Sequence, residues 1–134
     1  HKSGNTKIAY GKHLFIQGSP ILKKENGILL GRLSGIAAHY VPKYMLKNRR
    51  PSWKTNSIQD WEKKIDEIVN ETIDKNITII AGIPSWVQMY FEKILSKSKE
   101  KIGHQFPNFS LFIYGGVNFE PYRLIFSVCS NSFV

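Results

Sequence analysis

The sequence predicts an α/β domain organised around parallel strands, and three observations carry that reading. The run Ile77-Thr78-Ile79-Ile80-Ala81 has no polar alternation beyond Thr78, as a strand buried on both faces requires. A second apolar run, Phe109-Ser110-Leu111-Phe112-Ile113-Tyr114, stops abruptly at Gly115-Gly116. Between them a segment opens at Pro84 and carries Trp86, Val87, Met89, Tyr90, Phe91, Ile94 and Leu95 at helical spacing. Two strands joined by a helix of this length are parallel, and such crossovers are right-handed in roughly 98% of cases. The expected unit is a βαβ with strands near 77–81 and 109–114, preceded by a glycine-rich strand and hairpin part.

The elements follow in order. His13-Leu14-Phe15-Ile16-Gln17 reads as a strand ended by Gly18-Ser19-Pro20, and Gly27-Ile28-Leu29-Leu30 as a second, together suggesting a hairpin. Ser34 to Leu46 is mostly apolar at mixed helical spacing, and Pro42 is expected to break or kink it. Asn48 to Asn56, with Arg49, Arg50, Pro51 and Lys54, reads as an exposed loop. Ser57 can cap a helix whose stripe is Ile58, Trp61, Ile65, Ile68, Val69 and Thr72, which places Trp61 in the core. Lys97, Lys99 and Lys101 suit the end of the Pro84 helix, with Gly103 as its stop, and Asn118 can cap a last helix with Pro121 in its first turn. The whole, 1–134, is expected to be a single partial domain: 1–56 basic, glycine-punctuated and β-rich, and 57–134 helix-strand-helix-strand-helix.

With 134 residues the chain is one domain or part of one, since domains commonly run to about 100–200 residues. No stretch approaches the roughly 18 apolar residues of a membrane span, so no membrane partner is expected. His1 to Lys7 is polar, without the apolar core of a secretory signal, and Ser3-Gly4-Asn5-Thr6-Lys7 reads as a loose terminus. The single cysteine, Cys129, cannot form an internal disulfide, and a reducing cytoplasm is the simplest compartment. The net charge of +9 is local: residues 1–54 hold eleven Lys and Arg against Glu25, whereas 55–134 hold eight against nine acids. Lys43, Lys47, Arg49, Arg50 and Lys54, flanked by Tyr44 and Trp53, could meet phosphates. A solvated or covered basic surface explains them better, so nucleic acid is disfavoured. His1, His13, His39 and His104 are too scattered for a metal motif, and none is assigned. Asp60, Glu62, Asp66, Glu67 and Glu71 pair with Lys63 and Lys64 along one helix face, so no catalytic acid or base is assigned.

In open parallel sheets ligands bind beyond the carboxyl ends of the strands. Two strand-to-helix turns qualify: Gly82-Ile83-Pro84-Ser85 and Gly115-Gly116-Val117-Asn118. Parallel strands put both on one edge. A glycine pair there lets backbone approach a bulky ligand, although any tight turn also needs glycine.

These residues also carry a resemblance. Gly82-Ile83-Pro84-Ser85-Trp86, the helix with Phe91-Glu92-Lys93-Ile94-Leu95, Pro107-Asn108, and Gly115-Gly116-Val117-Asn118-Phe119-Glu120-Pro121-Tyr122-Arg123 resemble the Gretchen Hagen family of auxin-responsive acyl-acid amido synthetases and its bacterial homologues. Gly11-Lys12, Gly18-Ser19, Leu33-Ser34-Gly35-Ile36 and Asp60-Trp61-Glu62-Lys63-Lys64 extend the likeness over nearly the whole chain. It implies a luciferase-type adenylate-forming domain. That domain uses ATP and magnesium to activate a small carboxylic acid, with an amino acid as acceptor. It implies substrate-binding roles, on the acyl side for Ile83, Pro84, Ser85 and Trp86, and at the acyl-adenylate wall for Gly115, Gly116, Val117 and Asn118. Arg123 could meet a carboxylate or simply a neighbouring acid, and the latter is favoured.

The family's Ser/Thr/Gly-rich phosphate loop, Ser-Glu motif and Tyr-Arg-x-Gly-Asp segment are missing from the sequence, and Ser127 to Val134 departs from its expected continuation. The expectation is therefore a fragment of such an enzyme, contributing pocket walls, binding ATP and magnesium poorly, and inactive alone. Self-association through an incomplete domain surface is expected with it. The alternatives are a basic nucleic-acid-binding module and a non-catalytic structural remnant.

Overall fold

The computed structural model describes residues 6–129. The sequence readings at Ser3-Gly4-Asn5 and Ser130 to Val134, and the side chain of Cys129, lie outside the described residues. A 3-10 turn, Lys7–Tyr10, leads into β1 (Lys12–Ile16). β2 (Lys23–Glu25) and β3 (Ile28–Leu30) follow, then α1 (Leu33–His39), α2 (Lys43–Leu46), β4 (Arg49–Arg50) and α3 (Trp53–Asn56). The second half runs α4 (Trp61–Thr72), β5 (Ile77–Gly82), α5 (Pro84–Ser98), α6 (Ile102–Gln105), β6 (Leu111–Ile113) and α7 (Glu120–Cys129).

β4, β1, β5 and β6 form one sheet in that order, every pair parallel. β5 lies inside it, with Leu14 opposite Ile80 on one side and Phe112 opposite Ile80 on the other. Its composition suits that place. Ile77, Thr78 and Ile80 are fully buried, and the Thr78 hydroxyl donates to the Ile8 carbonyl at 2.9 Å, so the polar atom is satisfied. The parallel pairing of β5 and β6 agrees with the crossover argument, although regular strand pairing in β6 spans only 111–113 of the expected 109–114. β6 is an edge strand whose Leu111 and Ile113 are exposed, as is Leu124 on α7.

Two long helices pack on the sheet. α4 buries Ile65, Ile68 and Val69, and α5 buries Val87, Tyr90, Phe91 and Ile94. Each such side chain removed from water contributes about 1.5–3 kcal/mol. The Tyr90 hydroxyl is fully buried yet satisfied by the Thr72 hydroxyl at 2.7 Å, which itself donates to the Ile68 carbonyl at 2.6 Å. α5 begins with Pro84 in its first turn, where the missing N–H costs nothing.

The structure corrects four readings. β1 does not form a hairpin with residues 27–30; it lies between β4 and β5, and the hairpin is β2 with β3. Asn26 (φ 49°) and Gly27 (φ 84°) both sit in the left-handed region, as a two-residue hairpin turn demands. Ser57 does not cap α4. Its hydroxyl donates back to the Trp53 carbonyl at the end of α3, and Asp60 caps α4 by accepting from the Lys63 amide at 3.0 Å. Gly103 does not end α5; Lys99 does, at φ 57°, and Gly103 lies within α6.

The fourth is the segment 48–56, which is built into the fold instead of looping over it. Arg49 and Arg50 pair with His13 and Leu14, while Thr55 and Asn56 are buried. Glu71 ties the segment to α4: its carboxylate accepts from the Ser52 amide at 2.8 Å, the Ser52 hydroxyl at 2.5 Å and the Thr55 hydroxyl at 2.5 Å. Burial pushes the Glu71 carboxyl up, but the hydrogen bonds from Ser52 and Thr55, helped by Arg50, outweigh it and leave it below the ordinary value. Glu71→Gln is expected to lower stability by about 2 kcal/mol at neutral pH, read as a shift in urea midpoint. A carboxylate held low stabilises above its unfolded value and loses that contribution as pH falls through the native one. The gap between wild type and Glu71→Gln is therefore expected to close in acid.

Candidate functional site

Because β1, β5 and β6 run the same way, their carboxyl ends share one rim. The chain leaves them at Gln17-Gly18, at Ile83 and at Tyr114-Gly115, and these exits border a cavity of about 500 Å³. Ile16, Ile83, Trp86, Ile113 and Tyr114 supply apolar wall, and Gln17, Arg32 and Ser34 supply the polar side chains. Gly82 is required by close approach: a Cβ there would stand 2.8 Å from the Ile16 carbonyl oxygen and 3.1 Å from Val87. Gly116 sits at φ 83°, which its lack of a side chain permits.

Of the eight residues expected from the sequence, Ile83, Trp86 and Gly115 line this cavity. Pro84 is buried under the first turn of α5, and Ser85 lies half-buried beside it. Gly116 and Val117 are exposed beyond the rim. The Asn118 carboxamide accepts from the Glu120 amide at 3.1 Å and so starts α7. Arg123 pairs with Glu120 at 2.6 Å, the neighbouring-acid reading. Sequence reasoning missed Gln17, just after β1, and Arg32 and Ser34, at the start of α1. The Gln17 side-chain nitrogen is buried there without a hydrogen-bond partner.

A second cavity, about 610 Å³, adjoins the first through Gly18, Arg32 and Trp86. It lies between the β2–β3 hairpin and the start of α4, and Lys23, Trp61 and Lys64 also line it. Trp61 is half-buried, not fully in the core. Its ring lies against that of Trp86, tilted at 37° with centroids 4.7 Å apart, and donates to the Met89 sulfur at 3.4 Å. Lys64 does not pair with acids along the α4 face as read from the sequence: it is only 2% exposed, its ammonium donates to the Gln17 and Asn56 carbonyls, both at 2.8 Å, and Glu62 and Asp66 pair instead with Lys93. Burial pulls that ammonium down to about 8.

Lys43, Lys47 and Lys54 of the basic cluster are exposed, whereas its two arginines are partly buried. The Arg49 guanidinium lies over the Phe15 ring at 5.2 Å, Arg50 bonds the Arg49 carbonyl, and Trp53 packs edge-on against His39 at 4.7 Å. These side chains are partly occupied by packing, which leaves fewer free charges for a nucleic-acid backbone.

Magnesium takes oxygen ligands, carboxylates foremost. No Asp or Glu lines the rim cavity, and among the described residues no group of three His, Cys, Asp or Glu could hold a metal. With the Ser/Thr/Gly-rich phosphate loop also missing from the sequence, the rim residues fit neither the metal nor a nucleoside triphosphate. No helix among the described residues is long and apolar enough to cross a membrane. No protein-family model, curated protein or solved structure matches the chain.

Proposed function

We propose that the chain binds a small apolar carboxylic acid at the sheet rim, as the acyl-pocket wall of an adenylate-forming, amido-synthetase-like enzyme. One observation carries this reading: the two turns that bear the family-like motifs open into a single apolar cavity holding Arg32 and no acid. An apolar acid would lay its body against Ile83, Trp86 and Ile113 and its carboxylate toward Arg32, a planar donor suited to that group. The chain binds and orients; activation of the acid needs groups it does not carry at this rim.

The test is a fluorescence titration with phenylacetate and hexanoate. Saturable quenching is expected, lost in Trp86→Phe, and weakened about tenfold or more when Ile83→Asp places a like charge in the cavity. Affinity should change little with salt. Equal binding by Ile83→Asp, or no saturation with either acid, overturns the reading. Steeply salt-dependent binding to arbitrary DNA would favour the basic-module alternative instead.

A further inference from the structure

Lys64 is a buried cation with no acidic partner among the described residues. Burying an ammonium is costly unless it is paired and hydrogen-bonded. An ammonium has three donors. Two go to the Gln17 and Asn56 carbonyls, and no ion pair among the described residues involves Lys64. The two residues that hold it are themselves incomplete: the Gln17 side-chain nitrogen and the Asn56 side-chain oxygen are buried without partners.

The cavity beside Lys64 repeats the imbalance on a larger scale. Lys23 from the hairpin and Arg32 from the N-cap of α1 line it together with Lys64, and no Asp or Glu does. Three cations around one concavity repel each other unless an anion sits among them. Trp61, three residues before Lys64 on α4, and Trp86 line the same cavity, their rings tilted at 37° with centroids 4.7 Å apart, and supply its aromatic surface.

We propose that this second cavity is an oxyanion-binding site: Lys64, Arg32 and Lys23 hold a carboxylate or phosphate group whose flat apolar body lies against Trp61 and Trp86. The site is separate from the acyl pocket of the rim, although Gly18, Arg32 and Trp86 border both. A purely structural Lys64, tying the end of β1 to α3, would leave Lys23 and Arg32 without influence on anions.

Calorimetric titration of the full chain with inorganic phosphate, phenyl phosphate and benzoate, against sodium chloride at equal ionic strength, tests this. Saturable binding of phenyl phosphate or benzoate is expected, with inorganic phosphate weaker because it has no body for the tryptophans. A stronger phenyl phosphate arm identifies a phosphoryl ligand, and a stronger benzoate arm a carboxylate. Lys23→Gln and Arg32→Gln, both at exposed positions, should each weaken binding about tenfold with unchanged circular dichroism. Lys64→Met should remove binding, but the two exposed variants decide the matter if that one fails to fold. Ile83→Asp, at a residue that lines the rim cavity and not this one, should weaken phenyl phosphate binding less than either glutamine variant. No saturation with any probe, wild-type affinity in both glutamine variants, or loss of binding in Ile83→Asp overturns the proposal.

Discussion

Phe91→Ala is expected to lower the unfolding free energy by about 3–5 kcal/mol, the range for deleting a fully buried aromatic side chain. Phe91 is 1% exposed at the centre of α5, and its ring lies 5.9 Å from Tyr90, 6.2 Å from Phe109 and 5.4 Å from Phe126. The truncation therefore leaves a hole where α5, α7 and the sheet meet, and neighbouring rings are too constrained to fill it. Domains hold only about 5–15 kcal/mol in total, so the variant should stand near its unfolding midpoint in mild denaturant. Phe91→Leu, which keeps most of the volume, should recover the greater part. A loss below about 1 kcal/mol in Phe91→Ala, measured by urea titration, would show that this cluster is not the packed centre.

The second large effect is a rise in stability with pH. Burial holds the Lys64 ammonium at about 8, whereas an unfolded lysine titrates near 10.4. Between those values the unfolded chain carries a proton that the native chain has released, so stability increases as pH climbs through the window. At about 1.4 kcal/mol per unit the gain from pH 8 to pH 10 is on the order of 2 kcal/mol. Below pH 8 both states are protonated, and Lys64 contributes no slope. Two groups oppose the trend higher up. Burial pushes the Tyr90 phenol up, so an unfolded chain that ionises near pH 10 pulls the equilibrium away from the fold. The Lys93 ammonium is held up by its hydrogen bond to Asp66, and its contribution fades as pH passes its native value. Stability should therefore peak near pH 10. Lys64→Met should flatten the rise, and an anion bound beside Lys64 should shrink it by favouring the charged form. A wild-type profile flat from pH 8 to 10 in anion-free buffer would contradict the buried-cation reading.

What could be read from the sequence was whatever depends on local periodicity. The unbroken Ile77 to Ala81 run, the stripe through Ile65, Ile68 and Val69, and the Pro84 helix all follow from residue spacing, and they place the Ile83 and Gly115 corners on one rim. What depends on distant pairing was not legible. The apolar content of β1 suits a hairpin as well as an inner strand, and only its pairing with Ile77–Gly82 decides. β2 is charged and exposed, so Lys23-Lys24-Glu25 does not look like a strand, and Asn26-Gly27 was the overlooked signal. β4 is two arginines, held in part by stacking over Phe15, an arrangement no composition rule anticipates. The polar half of the candidate site lies in that N-terminal part. For the same reason, Gln17, Arg32, Ser34 and the buried charge of Lys64 were missed together.

The strand order has a consequence for synthesis. β1 emerges from the ribosome before both of its sheet neighbours, Arg49–Arg50 and Ile77–Gly82, of which β5 supplies the longer ladder. Until β5 emerges Leu14 can pair only with Arg50 and Ile16 with no strand among the described residues, and closing so long a loop is slow relative to forming α4 or α5. Nascent chains halted before Ile77 should be captured by chaperones through the β1 segment, and release should come only once β5 is free of the exit tunnel.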